Sequence, residues 1–374
     1  MLLLWVLAFL VGLGLVVAAL DSAIKTLVLP RAEAGRIARR TFRLVRSLFD
    51  LRTRRARDYE TRDRAMALYA PIALLTLLAV WIAIVLAGYV LMYWALGVDS
   101  LTGAFKLSGS SLLTLGFAGV ETIATTALSF SEAAIGLILV ALLIGYLPTM
   151  YAAFSRREAA VTLLEVRAGS PPSAIALIER YNRIGGLGSL GELWPPWEVW
   201  FADVEETHTS LGALAFFRSP RPEHSWVTAA GTVLDAASLL NAAVDVPHDP
   251  RADLCIRAGY VALRHVADFF EIRHDANPSP TDPISVAREE FEAACDHMAA
   301  AGVPIKADRE AAWRSFQGWR VNYDTVLLAL AALTMAPYAP WSSDRSPHYN
   351  LRRVSRAPIA AAQESVSPQR SPTG

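Results

Sequence analysis

The fold class the chain predicts is all-α: three transmembrane helices with a re-entrant loop between the second and third, followed by a cytoplasmic helical domain. Three observations carry it. Met1–Leu20, Ala65–Val98 and Ala133–Ser155 are uncharged apolar runs, each sufficient for a helix across a hydrocarbon core about 30 Å thick. Lys and Arg gather beside those runs, in Arg31–Arg64 and at Arg156-Arg157. After Arg157, helical periodicity is punctuated by Pro, Gly and Asp, and strand-like alternation is scarce.

Composition agrees with a mixed chain. At 374 residues and 53% hydrophobic, it is too apolar for an ordinary soluble protein and too polar to be membrane throughout. The net charge of zero conceals the basic segment. Taken in order, residues 1–30 hold the first span, and no Lys or Arg precedes its apolar run, as a signal peptide would require. An uncleaved helix is expected.

Residues 31–64 form a basic linker in which Ile37, Phe42, Leu44, Val45, Leu48, Phe49 and Leu51 interleave with Arg36, Arg39, Arg40, Arg43, Arg46 and Arg52. That spacing predicts an amphipathic helix on the inner membrane face. A positive-inside anchor is its simpler role, and anionic headgroups would strengthen it. Nucleic acid is not an expected partner, because the arginines abut spans.

Residues 65–155 comprise the second and third spans with a loop, 100–120, between them. Lys and Arg remain cytoplasmic in short loops. One topology of an inner-membrane, multi-pass protein therefore fits: N-terminus outside, linker inside, Asp99–Glu132 outside, and all that follows Arg156 inside. Within the loop, Leu101–Leu113 suits a half-length helix that enters the membrane and stops, its C-terminal dipole end favouring a cation. Thr114-Leu115-Gly116-Phe117-Ala118-Gly119 follows it.

This arrangement resembles the pore of the two-transmembrane potassium channel family, over roughly Ala65 to Ser155. Thr114, Gly116 and Phe117 match its filter pattern, whereas Ala118 stands where the family has its second glycine. The resemblance implies an ion-channel function: a pore lined by Thr114, Leu115, Gly116, Phe117, Ala118 and Gly119, whose carbonyls replace the water of an inorganic cation, potassium included. One loop per chain then implies a homotetramer. Alanine in a left-handed conformation would cost about 1 kcal/mol or more, so a scaffold or sensor that keeps the pore fold without conducting is the alternative. Gly136, Gly145 and Pro148 soften the third span and are its candidate gating hinge.

Residues 156–342 read as the cytoplasmic domain, with helices expected near Arg156–Val166, after an N-cap at Ser170, and over Trp197–Phe217, Ser225–Ala243, Ala252–Ile272, Pro283–Ala300 and Asp308–Met335. Cys255 and Cys295 fit apolar stripes and read as core. Trp194, Trp197, Trp200 and Phe201 read the same way in preference to a membrane anchor. Arg320, Tyr323 and Asp324 form a candidate polar cluster for packing or for a regulatory ligand.

Two Glu-x-x-His pairs, Glu205/His208 and Glu271/His274, have a spacing used in dinuclear metal bundles, for which Asp235 and Glu290 would be the completing carboxylates. The pairs are short, and capping accounts for His274, so no metal is expected; Glu205 and His208 remain the candidates, and a membrane-tethered, metal-dependent helical protein is the weaker alternative. No nucleotide-binding or hydrolase motif occurs, and neither catalysis nor a cofactor is expected. Residues 343–374, rich in Ser, Pro and Arg, are expected to be a disordered tail.

Overall fold

The computed structural model describes residues 2–29, 35–54, 58–119 and 122–345, and among these every regular element is helical. Val244 and Ile305 add one isolated bridge. The chain divides into two compact units, one of Met1–Ala153 with Ser210–Leu214, the other of Phe154–Thr209 with the chain from Ala215 onward.

The first unit contains α1 (Leu2–Leu27), α2 (Arg36–Thr53), α3 (Tyr59–Ala67), α4 (Tyr69–Ala95), α5 (Leu101–Leu112) and the first part of α6 (Ile123–Ala168). Leu2–Leu27, Tyr59–Ala95 and Ile123–Ala168 are long and apolar enough to cross a membrane. Between α1 and α4 the backbones nearly touch: a Cβ on Gly12 would lie 2.4 Å from the Gly88 carbonyl oxygen, and one on Gly88 2.7 Å from that of Gly12. Small residues at a crossing allow this approach. Trp81 Nε1 then donates to Ser22 Oγ at 3.1 Å, fixing the register of the pair.

Much of this unit's outward surface is apolar, including Leu3, Leu7 and Leu10 on α1 and Phe130, Ile144 and Tyr151 on α6. Helix α2 departs from a simply basic face. Arg46 is buried, donating to Asp50 at 3.0 Å and lying over the Tyr69 ring, while Leu44, Leu48 and Leu51 are exposed beside Arg40 and Arg43.

In the second unit, the remainder of α6 joins α7 (Ala174–Arg183), α8 (Trp194–Ser210), α9 (Trp226–Ala243), α10 (Pro250–Phe269), α11 (Arg288–Ala300), α12 (Arg309–Arg320) and α13 (Asp324–Thr334). Every residue of α9 except Asn241 is buried, which marks it as the central helix. Cys255 and Cys295 lie in its surrounding core, as do Trp194, Trp197, Trp200 and Phe201.

Some boundaries differ from the sequence reading for local reasons. The expected helix Asp308–Met335 is split, because the Asn322 side chain donates to the Gly318 and Trp319 carbonyls and ends α12. The cap expected at Ser170 falls instead at Ser173, which accepts from Ala176 N. Only Ser343–Arg345 of the expected tail is described, as one helical turn, and 346–374 lie outside the described residues.

Candidate pore loop

Helix α5 is started by Ser100, whose side chain accepts from Gly103 N at 2.9 Å. It ends by folding the following loop onto its own last carbonyls. Leu113 N donates to Gly109 O, and Ser110 O accepts from both Leu115 N at 2.8 Å and Gly116 N at 3.4 Å. Ser110 Oγ accepts from Ala118 N at 3.1 Å. The loop's amides are thus turned toward α5.

Its carbonyls are not used in this way. Among the described residues, no donor reaches the carbonyl oxygens of Thr114 through Gly119. Leu113, Leu115 and Phe117 are each more than half exposed. Thr114 has φ 55° and Gly116 φ 71°. For a β-branched residue such as Thr114 this is a strained conformation, costing about 1–3 kcal/mol.

The strain therefore falls elsewhere than the sequence predicts. Ala118 is absent from the left-handed positions, as is Gly119, and the alanine carries no backbone penalty in this conformation. Thr114 carries it.

Behind the loop lies a buried polar network that the sequence reading missed. Glu132 is fully buried on α6, accepting from Tyr93 Oη of α4 at 3.0 Å and from Ser108 Oγ of α5 at 2.5 Å. Two further bonds run alongside, Tyr89 Oη to Ser131 Oγ at 2.8 Å and Ser111 Oγ to Ser129 Oγ at 2.7 Å. Three helices are tied to one carboxylate. Among the described residues Glu132 has no cationic partner, and an ionisable group so placed is costly unless it has a role. The sequence reading had left Glu132 as the last residue of an outer loop, whereas α6 already begins at Ile123. The spacings Tyr89/Tyr93, Ser108/Ser111 and Ser129/Glu132 were the available signal.

Of the hinge candidates, Gly136 is where α6 passes the end of α5: a Cβ there would lie 2.3 Å from the Leu112 carbonyl oxygen. Gly145 has open space around it. Pro148 lies inside α6 and has no N–H to give the Ile144 carbonyl.

In the second unit the metal candidates separate. Glu205 pairs with His265 at 2.6 Å, while His208 is buried and accepts from Arg157 Nη1 at 3.0 Å. Arginine always donates, so His208 Nε2 is the acceptor and the ring is neutral. Burial, and then the Arg157 charge, hold its pKa well below the usual histidine value.

Asp235 and Glu290 are engaged elsewhere, Asp235 with Arg320 and Glu290 with Arg345. Arg320, Tyr323 and Asp324 do form a cluster. Arg320 Nε donates to Asp324 Oδ1 at 2.8 Å, Tyr323 Oη to Asp235 at 2.8 Å, and Ser285 N and Oγ to Asp324 at 2.8 and 2.7 Å. Burial pushes the Asp235 carboxyl up and the Arg320 charge opposes it. With Arg320 also donating to the Trp341 carbonyl, the cluster is a closed packing device. Compared with known proteins, the chain matches no family model, no curated protein and no solved structure.

Proposed function

We propose that this chain is a membrane cation channel, with potassium among the ions it passes, conducting through a homotetrameric pore built around Thr114–Gly119. The observation that carries the reading is a loop whose carbonyls accept no bond from any described residue, while strained Thr114 is held in place. Ions crossing a bilayer need replacement oxygens of this kind. Strain retained at a loop tip is expected where geometry serves function.

In this reading α1, α4 and α6 cross the inner membrane with the N-terminus outside, and the unit containing α7–α13 is cytoplasmic. Leu44, Leu48 and Leu51, exposed beside arginines on α2, suit the lipid surface on that side. The exposed Leu113 and Phe117 are covered by neighbouring copies around the axis, and the exposed Leu115 stays open to the ion path. Glu132 braces α5 from behind, so that the loop keeps its shape as ions pass. No catalytic step belongs to this reading.

A non-conducting scaffold is the second reading, favoured by Ala118 at a position where the resemblance calls for glycine. Ion flux in liposomes separates the two. Flux from wild type under a potassium or sodium gradient, abolished by Gly116→Pro, is the expected result. Silence from intact wild-type oligomers would turn the reading to the scaffold.

A further inference from the structure

We infer that the second unit binds a divalent metal ion of the zinc class through Glu165, Glu223 and His224. One ligand atom from each lies within 4.8 Å of the other two. Glu165 is on α6, whereas Glu223 and His224 are on the segment leading into α9, so the site would clip two separate parts of the unit together.

His224 is 5% exposed in its side chain and directs Nε2 at Glu165 Oε2. An imidazole nitrogen with two carboxylates is a donor set that suits zinc and manganese. Tetrahedral zinc with bonds of about 2.0–2.2 Å places its ligand atoms about 3.3 Å apart. Reaching that spacing requires the 2.5 Å contact between His224 Nε2 and Glu165 Oε2 to open and the Glu223 carboxylate to take its place beside them.

The three residues line one small cleft with Val161, Leu164 and Ser170. An adjoining cleft shares His224 and Ser225 and is lined by Glu158, whose buried Oε2 has no hydrogen-bond partner. Glu158 is only 9% exposed.

Arg221 is the competing cation, donating to Glu165 Oε2 at 3.2 Å. Its side chain is 61% exposed, and a contact so open to solvent is weak enough for a metal to displace. The inference stands apart from the pore reading, since none of its residues belongs to the loop.

The test is equilibrium zinc binding to the purified full chain in detergent after chelator treatment, read by metal analysis and repeated with cobalt for its visible absorption. One zinc per chain is expected, with affinity at least tenfold weaker in Glu165→Gln and in His224→Gln. Glu205→Gln, which disrupts a His–Glu pair without a third ligand, should leave binding unchanged. Circular dichroism on each variant keeps loss of fold from passing as loss of a ligand. No saturable uptake by wild type, or equal uptake by wild type and both site variants, would overturn the inference.

Discussion

The two units solve the problem of burial in opposite ways. In the first, much of the surface is apolar and the interior holds a carboxylate, Glu132, bonded only to hydroxyl groups. In the second, the interior is an apolar core around α9, and its buried carboxylates, Asp235 and Asp324, are matched by Arg320. A packed apolar core tolerates charge by neutralising it. A unit with an apolar exterior can hold polar groups inside to fix its helices relative to one another. The difference teaches that polarity does positioning work in the first unit and closure in the second.

The largest expected effect breaks the closure. Asp235→Ala removes one of the two carboxylates paired with buried Arg320, and about 3–5 kcal/mol of the second unit's stability should be lost. Denaturant unfolding followed through that unit measures it. An effect below about 1 kcal/mol would mean that Asp324 and the Trp341 carbonyl suffice.

Next in size are changes behind the loop. Glu132→Ala strands the Tyr93 and Ser108 hydroxyls, at about 1–3 kcal/mol each if no new partner is found. Glu132→Gln keeps an acceptor for them and should retain most of the stability. Thermal unfolding in detergent distinguishes the two variants, and equal loss from both would show that charge, not hydrogen bonding, is what the site needs. Gly136→Val belongs to the same range, because its side chain collides with the Leu112 carbonyl.

A smaller effect is set by pH. His208 is neutral in the folded unit because burial and Arg157 depress its pKa, whereas in the unfolded chain it titrates near the ordinary value of about 6.5. Below that pH the unfolded state takes up a proton that the folded state refuses. Stability is therefore intact above about pH 6.5 and falls as pH drops, by up to about 1.4 kcal/mol per unit. Unfolding curves at pH 7.5 and 5.5 should show this loss, and His208→Gln should lessen it.

The smallest contrast lies within the loop. Thr114→Gly relieves a left-handed β-branched residue and should stabilise the first unit by about 1 kcal/mol. Ala118→Gly should stabilise nothing. The reverse order in thermal unfolding would place the strain at Ala118 after all.

Much of the fold was legible in the sequence because apolar runs and helical stripes are local. The expected runs Met1–Leu20, Ala65–Val98 and Ala133–Ser155 overlap the helical stretches Leu2–Leu27, Tyr59–Ala95 and Ile123–Ala168 that are long and apolar enough to span, and Cys255 and Cys295 lie in the core. What escaped depends on distant partners. Glu132 looks like a surface acid until Tyr93 and Ser108 arrive from two other helices. Arg46 resembles its exposed neighbours until Asp50 and Tyr69 enclose it, and the polar side chain that ends α12 is a single asparagine within a long helical pattern. Gly136 invites a hinge interpretation in the sequence, yet its position against Leu112 is a matter of tertiary approach.

The most direct test of the pore assignment is thiol block of ion flux through Leu115→Cys reconstituted in liposomes. The two native cysteines are buried, so wild type should be insensitive to a charged, impermeant thiol reagent. The pore account predicts that the reagent stops flux through Leu115→Cys within minutes and leaves wild-type flux unaltered. Undiminished flux from a variant shown by mass spectrometry to be modified would contradict it and move the ion path away from Thr114–Gly119.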